Sequence, residues 1–218
     1  MTDQHRARIA GALYLATFAT SIPALLWKTP FLRDGSAPEA AAAASLLEVV
    51  LAFACAGTAV ALFPLLRRRS ETLALGFVAA RTIEATLVLI GVAVVLAIVG
   101  GAERSLVPVH DAVFLLGPGL MPAINAALLA PAVIRARLVP RAIPVLGLVG
   151  SPLLMVSAVL SILGAVDQVS GLAGLLALPI ALWEFVLGAW LLARGAGARP
   201  GAGASGEVSR RRRGSLLS

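Results

Sequence analysis

TLALGFVAARTIEATLVLIGVAVVLAIV, Thr72 to Val99, holds fifteen Leu, Ile, Val and Phe residues, no proline, and two charged residues, Arg81 and Glu84. A run of this length exceeds the roughly 20 residues that cross the hydrocarbon core of a bilayer; barrel strands are shorter and alternate. Hydrocarbon offers no hydrogen bonds, so such a segment must satisfy its own backbone, and it does so as a helix. Five further apolar blocks lie on either side of this one: about Arg8 to Trp27, Ala40 to Leu66, Asp111 to Ile134, Ala142 to Val166, and Gly171 to Ala193. The expected fold is therefore all-α, an integral membrane bundle of six transmembrane helices.

The composition agrees. Apolar residues make up 59% of the 218 positions and charged residues 13%, against about 25% charged in an ordinary soluble domain. The net charge of +7 could suggest nucleic acid, but the charges flank the ends of apolar blocks and few aromatic residues are present to stack on bases. The partner expected is the lipid bilayer, not nucleic acid. The basic start, His5-Arg6-Ala7-Arg8, resembles the n-region of a signal peptide, yet the apolar run continues to Trp27 and reads as an uncleaved first helix. One cysteine, Cys55, excludes an internal disulfide framework. With only His5 and His110 beside it, neither a metal site nor a cofactor is expected.

Basic residues set the expected topology. Residues 1–7, the Arg67-Arg68-Arg69 turn, the Arg135, Arg137 and Arg141 turn and the tail carry fourteen basic residues, counting Arg8. The opposite side carries Lys28, Arg33 and Arg104, with Lys28 opening a polar loop that runs to Glu39. By the positive-inside rule both termini lie in the cytoplasm, which places the protein in the inner cell membrane. Residues 195–218 read as a disordered basic cytoplasmic tail. In it Arg210 to Arg213 are attracted to anionic lipid headgroups, and Gly201-Ala202-Gly203-Ala204-Ser205-Gly206 is a chance match to a dinucleotide-binding pattern that follows no strand.

Several short stretches together resemble one family: Arg8-Ile9-Ala10-Gly11-Ala12-Leu13-Tyr14-Leu15, Arg81-Thr82-Ile83-Glu84, Gly117-Pro118-Gly119 and Leu182-Trp183-Glu184. The chain from about Arg8 to Arg194 is similar to a bacterial family of multi-pass membrane proteins, domain of unknown function 4386. The resemblance implies a multi-pass membrane protein. It carries no activity, substrate or cofactor.

Candidate chemistry begins with charge at membrane depth. Each ionised side chain at a helix centre costs about 2.5 to 3.5 kcal/mol, whereas each Leu, Ile, Val or Phe returns about 0.3 to 0.6. The third helix therefore roughly breaks even, and pairing between Arg81 and Glu84, three apart on one face, matters. One reading is an ion pair that lets the helix insert and dock. The other adds Asn125 and Glu184, which fall at a similar depth, to make one intramembrane polar site of Arg81, Glu84, Asn125 and Glu184. Arg81 against Glu48, Glu84 and Glu184 leaves an excess of two negative charges if all ionise, which favours bound cations or protonated carboxyls.

Gly117-Pro118-Gly119 followed by Pro122 removes backbone donors and is expected to break the fourth helix near mid-membrane, either as a packing kink or as a ligand site. Glu48 lies nearer the outer end of the second helix and in one reading is satisfied by interfacial water; in the other Glu48, His110 and Asp111 form an outer gate or proton relay. Small residues at Gly57 and Ala61, Gly76 and Ala80, and Gly147 and Ser151 suit close helix packing, and the same spacing suits a homo-oligomer. Common hydrolase, metalloprotease and P-loop signatures are absent, and no catalytic residue is assigned. Binding or translocation of a small cationic or proton-coupled solute is the leading functional reading. A structural or regulatory membrane protein and an intramembrane enzyme using paired carboxyls are the alternatives.

Overall fold

The computed structural model describes residues 1–196; the tail residues beyond them, including Arg210 to Arg213 and the glycine pattern at 201–206, lie outside the described residues. Seven α-helices form six spans that are long and apolar enough to cross a membrane. They are α1 (Asp3–Asp34), α2 (Pro38–Leu66), α3 (Glu71–Val99), α4 (Val107–Leu116), α5 (Met121–Ala136), α6 (Ala142–Ile162) and α7 (Gly171–Arg194). A 3-10 turn at Arg104–Leu106 leads into α4, and α4 with α5 makes the fourth span. No strand occurs among the described residues.

The spans close into a ring in chain order. Each packs on the next, from α1 through α2, α3, α5, α6 and α7, and α7 returns to α1. An even number of spans brings the start of α1 and the end of α7 to one end of the ring. There Gln4 donates a hydrogen bond to the Arg194 carbonyl at 2.7 Å, and Arg68 pairs with Asp3 at 2.8 Å.

Side-chain placement inverts that of a water-soluble bundle. Bulky apolar residues face outward, as Leu46, Phe53 and Val60 do along α2 and Leu175, Leu178, Leu182 and Phe185 do along α7. The interior faces carry alanine at positions such as Ala7, Ala10, Ala44 and Ala59. Lipid tails solvate leucine as well as another helix does, so close van der Waals packing of small residues drives association. The closest approach joins α1 to α7. A Cβ on Gly11 would lie 2.6 Å from the Gly188 carbonyl oxygen, a separation only paired glycines permit. Gly147 faces the Trp183 indole, where a Cβ would come within 2.7 Å, and Ser151 donates to the Ala123 carbonyl at 2.8 Å.

The structure moves several helix ends from their expected places: α1 begins at Asp3 instead of Arg8, α4 begins at Val107 instead of Asp111, and two C-terminal ends shift as well. The first helix does not stop at Trp27: it continues through Lys28 and Pro30 to Asp34, where Gly35 ends it in the left-handed conformation with φ 84°. Two partners allow this. Lys28 finds a carboxylate inside the bundle, and Arg104 donates to the Phe31 and Leu32 carbonyls at 2.8 Å each, joining the Gly35 N–H on Phe31 and satisfying Leu32, whose carbonyl the helix end leaves open. Arg104→Ala is therefore expected to cost about 1 to 3 kcal/mol and to speed hydrogen exchange over residues 31–35 while the rest of α1 stays protected. The fifth block ends at Ile162 rather than near Val166. Gly164, with φ 70°, turns the chain, its N–H bonding the Ser161 carbonyl at 3.0 Å while the Ala165 N–H returns to Leu160 at 2.9 Å.

The break in the fourth span falls where proline and glycine place it. Pro118 has no N–H for the Phe114 carbonyl, and Gly119 supplies one instead at 3.0 Å. The two halves then differ in packing. α5 is wedged between α3 and α6, with Asn125, Ala126 and Leu129 buried, whereas α4 leans mainly on α3 and buries only His110. The wall of the ring is thin on that side.

Candidate functional site

Arg81 stands ten residues into α3, about 15 Å along it at 1.5 Å per residue, and is 1% exposed. Its Nη1 donates to Glu84 Oε2 at 2.6 Å, the contact that an i, i+3 spacing permits. Asn125 Nδ2, from α5, donates to the same Glu84 oxygen at 2.7 Å. From α7, Glu184 Oε1 lies 3.6 Å from Arg81 Nη2, within ion-pair range but beyond a good hydrogen bond. The four residues singled out at membrane depth thus meet in one layer supplied by three helices.

Two residues complete the layer that the sequence did not single out. The ring of Tyr14 on α1, the chain's one tyrosine, lies 5.0 Å from the Arg81 guanidinium carbon, and Thr58 Oγ1 on α2 lies 3.4 Å from Arg81 Nε. Neither residue type is unusual within a membrane helix, so nothing local marked them. The layer remains incompletely paired: Arg81 Nη2, Glu184 Oε1, Asn125 Oδ1 and the Tyr14 hydroxyl are buried and have no hydrogen-bond partner among the described residues. One guanidinium faces two carboxylates. A buried charge without a partner is costly, so the arrangement calls for one further positive charge.

A cavity of about 380 Å³ reaches this layer. Arg81, Glu84 and Glu184 lie at its floor, Pro118, Gly119 and Pro122 from the helix break form part of its wall, and Gln168 and Ser170 in the α6–α7 link lie at its far end. It therefore extends toward the end of the ring away from the termini. On the terminal side of the layer the interior is filled by Leu62, Phe77, Leu129, Trp183, Leu187 and Leu191. The bundle is open along one half of its axis and sealed along the other.

Nearer the open end a second polar group assembles. Lys28 Nζ pairs with Glu48 Oε1 at 2.5 Å and lies 3.2 Å from His110 Nε2, and His110 Nδ1 lies 3.1 Å from Asp111 Oδ1. Lys28 also sits 4.9 Å from the centre of the Phe114 ring, on which His110 stacks. Two expectations need correction here. Lys28 does not begin an outer loop; it is 2% exposed because α1 runs past it. Nor is Glu48 satisfied by interfacial water, since its partner is that ammonium group. The excess of two negative charges across the spans falls to one when Lys28 is included. The spacing that links Lys28 to Glu48 is set by the α1–α2 hairpin, whose turn is only Gly35 to Ala37. A cavity of about 290 Å³ adjoins this group and shares Leu25, Phe114, Gln168 and Val169 with the larger one.

Thr17, Ser157 and Ser161 add hydroxyls to the larger cavity, but most of its wall is apolar, including Leu51, Leu154, Ala177 and Ile180. Among the described residues no three of His, Cys, Asp and Glu come together as metal ligands would. The arrangement can hold a positive charge against Glu184 or pass a proton to it.

Comparison with known proteins bears on kinship alone. No curated protein and no solved structure matches the chain. A family model described as Domain of unknown function (DUF4386) matches residues 9–195, which span all six membrane helices. The chain therefore belongs to the DUF4386 family, as the stretches quoted from α1, α3, the helix break and α7 imply.

Proposed function

We propose that the protein binds a small cationic or proton-coupled solute at Arg81, Glu84, Asn125 and Glu184 and carries it across the membrane. The observation that supports this most is the polarity of the interior: a cavity descends to an excess carboxylate at mid-bundle and is closed beneath it by packed side chains. A site reachable from one face at a time is what alternating access requires, and helices broken at membrane depth are where transporters place their ligands. The break at Gly117, Pro118, Gly119 and Pro122 would let α4 move against a fixed α5. Lys28, Glu48, His110 and Asp111 act as the outer gate, since His110 is the residue through which α4 is held to the bundle.

Orientation follows from charge. With Lys28 inside the bundle, the end away from the termini keeps only Arg33 and Arg104 of its three basic residues. Both termini then lie in the cytoplasm of the cell, beside anionic headgroups, and the cavity opens outward.

The test is proton flux in proteoliposomes loaded with a pH-sensitive dye, with Glu184→Gln and Glu84→Gln made separately. Glu184→Gln is expected to slow flux at least about tenfold, the effect of about 1.4 kcal/mol, while the melting temperature in detergent stays close to that of the parent. A protein whose buried polar groups serve only packing would instead lose stability in both variants and show no flux in the parent. Turnover of a membrane lipid that disappears in both variants would point to an enzyme.

A further inference from the structure

The proposed function leaves the solute open between a bare cation, a proton and an organic cation. Resting on that reading, we infer that the site takes an amphiphilic amine bearing at least one N–H bond, seated on Glu184 in exchange for a proton.

Glu84 Oε2 is occupied, since it accepts from both Arg81 and Asn125. Glu184 is 9% exposed, lines the cavity, and has one oxygen, Oε1, with no hydrogen-bond partner. A bare inorganic cation at this point would need several oxygen ligands to replace its water, about six for the hard divalent ions. The neighbours on offer are mostly apolar, Leu154, Ala158, Ala177, Ile180 and Ala181, and the single hydroxyls of Thr17, Ser157 and Ser161 fall short of such a shell. Such an ion would be stripped without replacement.

An ammonium group on a hydrocarbon body meets both halves of the site. Its charge faces Glu184, and its apolar body fills walls that offer water little. The count of donors narrows the class. The free oxygen needs at least one N–H to accept, which a primary, secondary or tertiary amine supplies. A quaternary ammonium has none to give.

Charge balance then makes the exchange electroneutral. The groups facing Glu184 are Tyr14 from α1, Cys55 from α2, and Arg81 and Glu84 from α3; α5 offers the neutral Asn125, and α4 and α6 place no ionisable group there. Without a solute, the neutralising charge is a proton on the Glu184 carboxyl. When the ammonium ion arrives, the carboxyl O–H bond breaks, the proton leaves to water, and the ammonium N–H donates to the carboxylate. The net charge of the site is unchanged.

The probe is N,N-dimethylphenethylamine, titrated by calorimetry into the detergent-solubilised full chain, with its N,N,N-trimethyl analogue and neutral 3-phenyl-1-propanol as comparisons. The tertiary amine is expected to bind at least about tenfold more tightly than either, a difference of about 1.4 kcal/mol. Buffers of different ionisation enthalpy should report release of about one proton per amine bound. Glu184→Gln should weaken amine binding by at least about tenfold. Because that variant touches the polar layer, Ala177→Phe gives an independent check. It sits two turns from Glu184 on the cavity wall and should abolish amine binding without altering the charges.

Equal binding of the alcohol or of the quaternary analogue, or amine binding that survives both substitutions, overturns the inference. So does an amine that fails to bind while Glu184-dependent proton flux persists in liposomes, although the transport reading then stands. Absence of both amine binding and flux removes the transport reading as well.

Discussion

Arg81→Met should destabilise the bundle by about 3 to 5 kcal/mol, enough to abolish accumulation of many membrane proteins. It strands Glu84 and Glu184 at mid-bundle with no cation, and it also removes the group packed on Tyr14. The informative variant is the triple one, Arg81→Met with Glu84→Gln and Glu184→Gln. Replacing a whole buried ionic group by uncharged residues of similar volume is often neutral or stabilising. The triple variant is therefore expected to regain most of the lost stability, measured by thermal melting in detergent. Function should not return with it. If the charges served only to hold helices together, a protein that has recovered its stability without them would be fully competent. If they bind solute, it would be well folded and inert. A triple variant as unstable as Arg81→Met would show that the polar layer carries the fold, and the case for a binding site would lose its main support.

Gly11→Ala is expected to cost at least the upper part of the about 1 to 3 kcal/mol range for overpacking a well-filled interior. The added methyl would meet backbone, 2.6 Å from the Gly188 carbonyl oxygen and 2.9 Å from the Leu191 carbonyl carbon. Backbone atoms within a helix cannot swing aside as a leucine tip can. α1 and α7 would have to separate, opening the ring at its closing seam and drawing Tyr14 away from Arg81. Gly174→Ala is the matched control on α7. A Cβ there meets nothing within 4 Å, so the change should be neutral or stabilise by up to about 1 kcal/mol through helix propensity. Similar melting temperatures for both alanine variants would mean that the seam is not the close contact described.

Much of the architecture was legible along the chain because bilayer thickness imposes a length on each span and forbids unsatisfied backbone within it. Six apolar blocks, the helix break at Gly117-Pro118-Gly119 and the membership of one family all follow from local stretches. Hydropathy was a poorer guide to helix ends. Lys28 looked like the start of a loop because a lone ammonium group does not belong in lipid. Nothing within about a turn of it revealed that Glu48, twenty residues on, would lie against it. At the other end of α6, Gly164 carried the stop signal, but the apolar residues beyond it extended the block.

The candidate residues divide in the same way. Arg81, Glu84, Asn125 and Glu184 stood out singly, because each is expensive where it lies. That they meet depends on the order in which α3, α5 and α7 close the ring, and so does the recruitment of Tyr14 and Thr58. The solvent of the chain, its number of crossings and its costly groups can be read along the polypeptide, since each depends on residues within one segment. Which charges pair, which carboxylate keeps a free oxygen, and where the interior stays open were decided only by tertiary structure. Those properties belong to distances between helices, and a single helix carries no record of its neighbours.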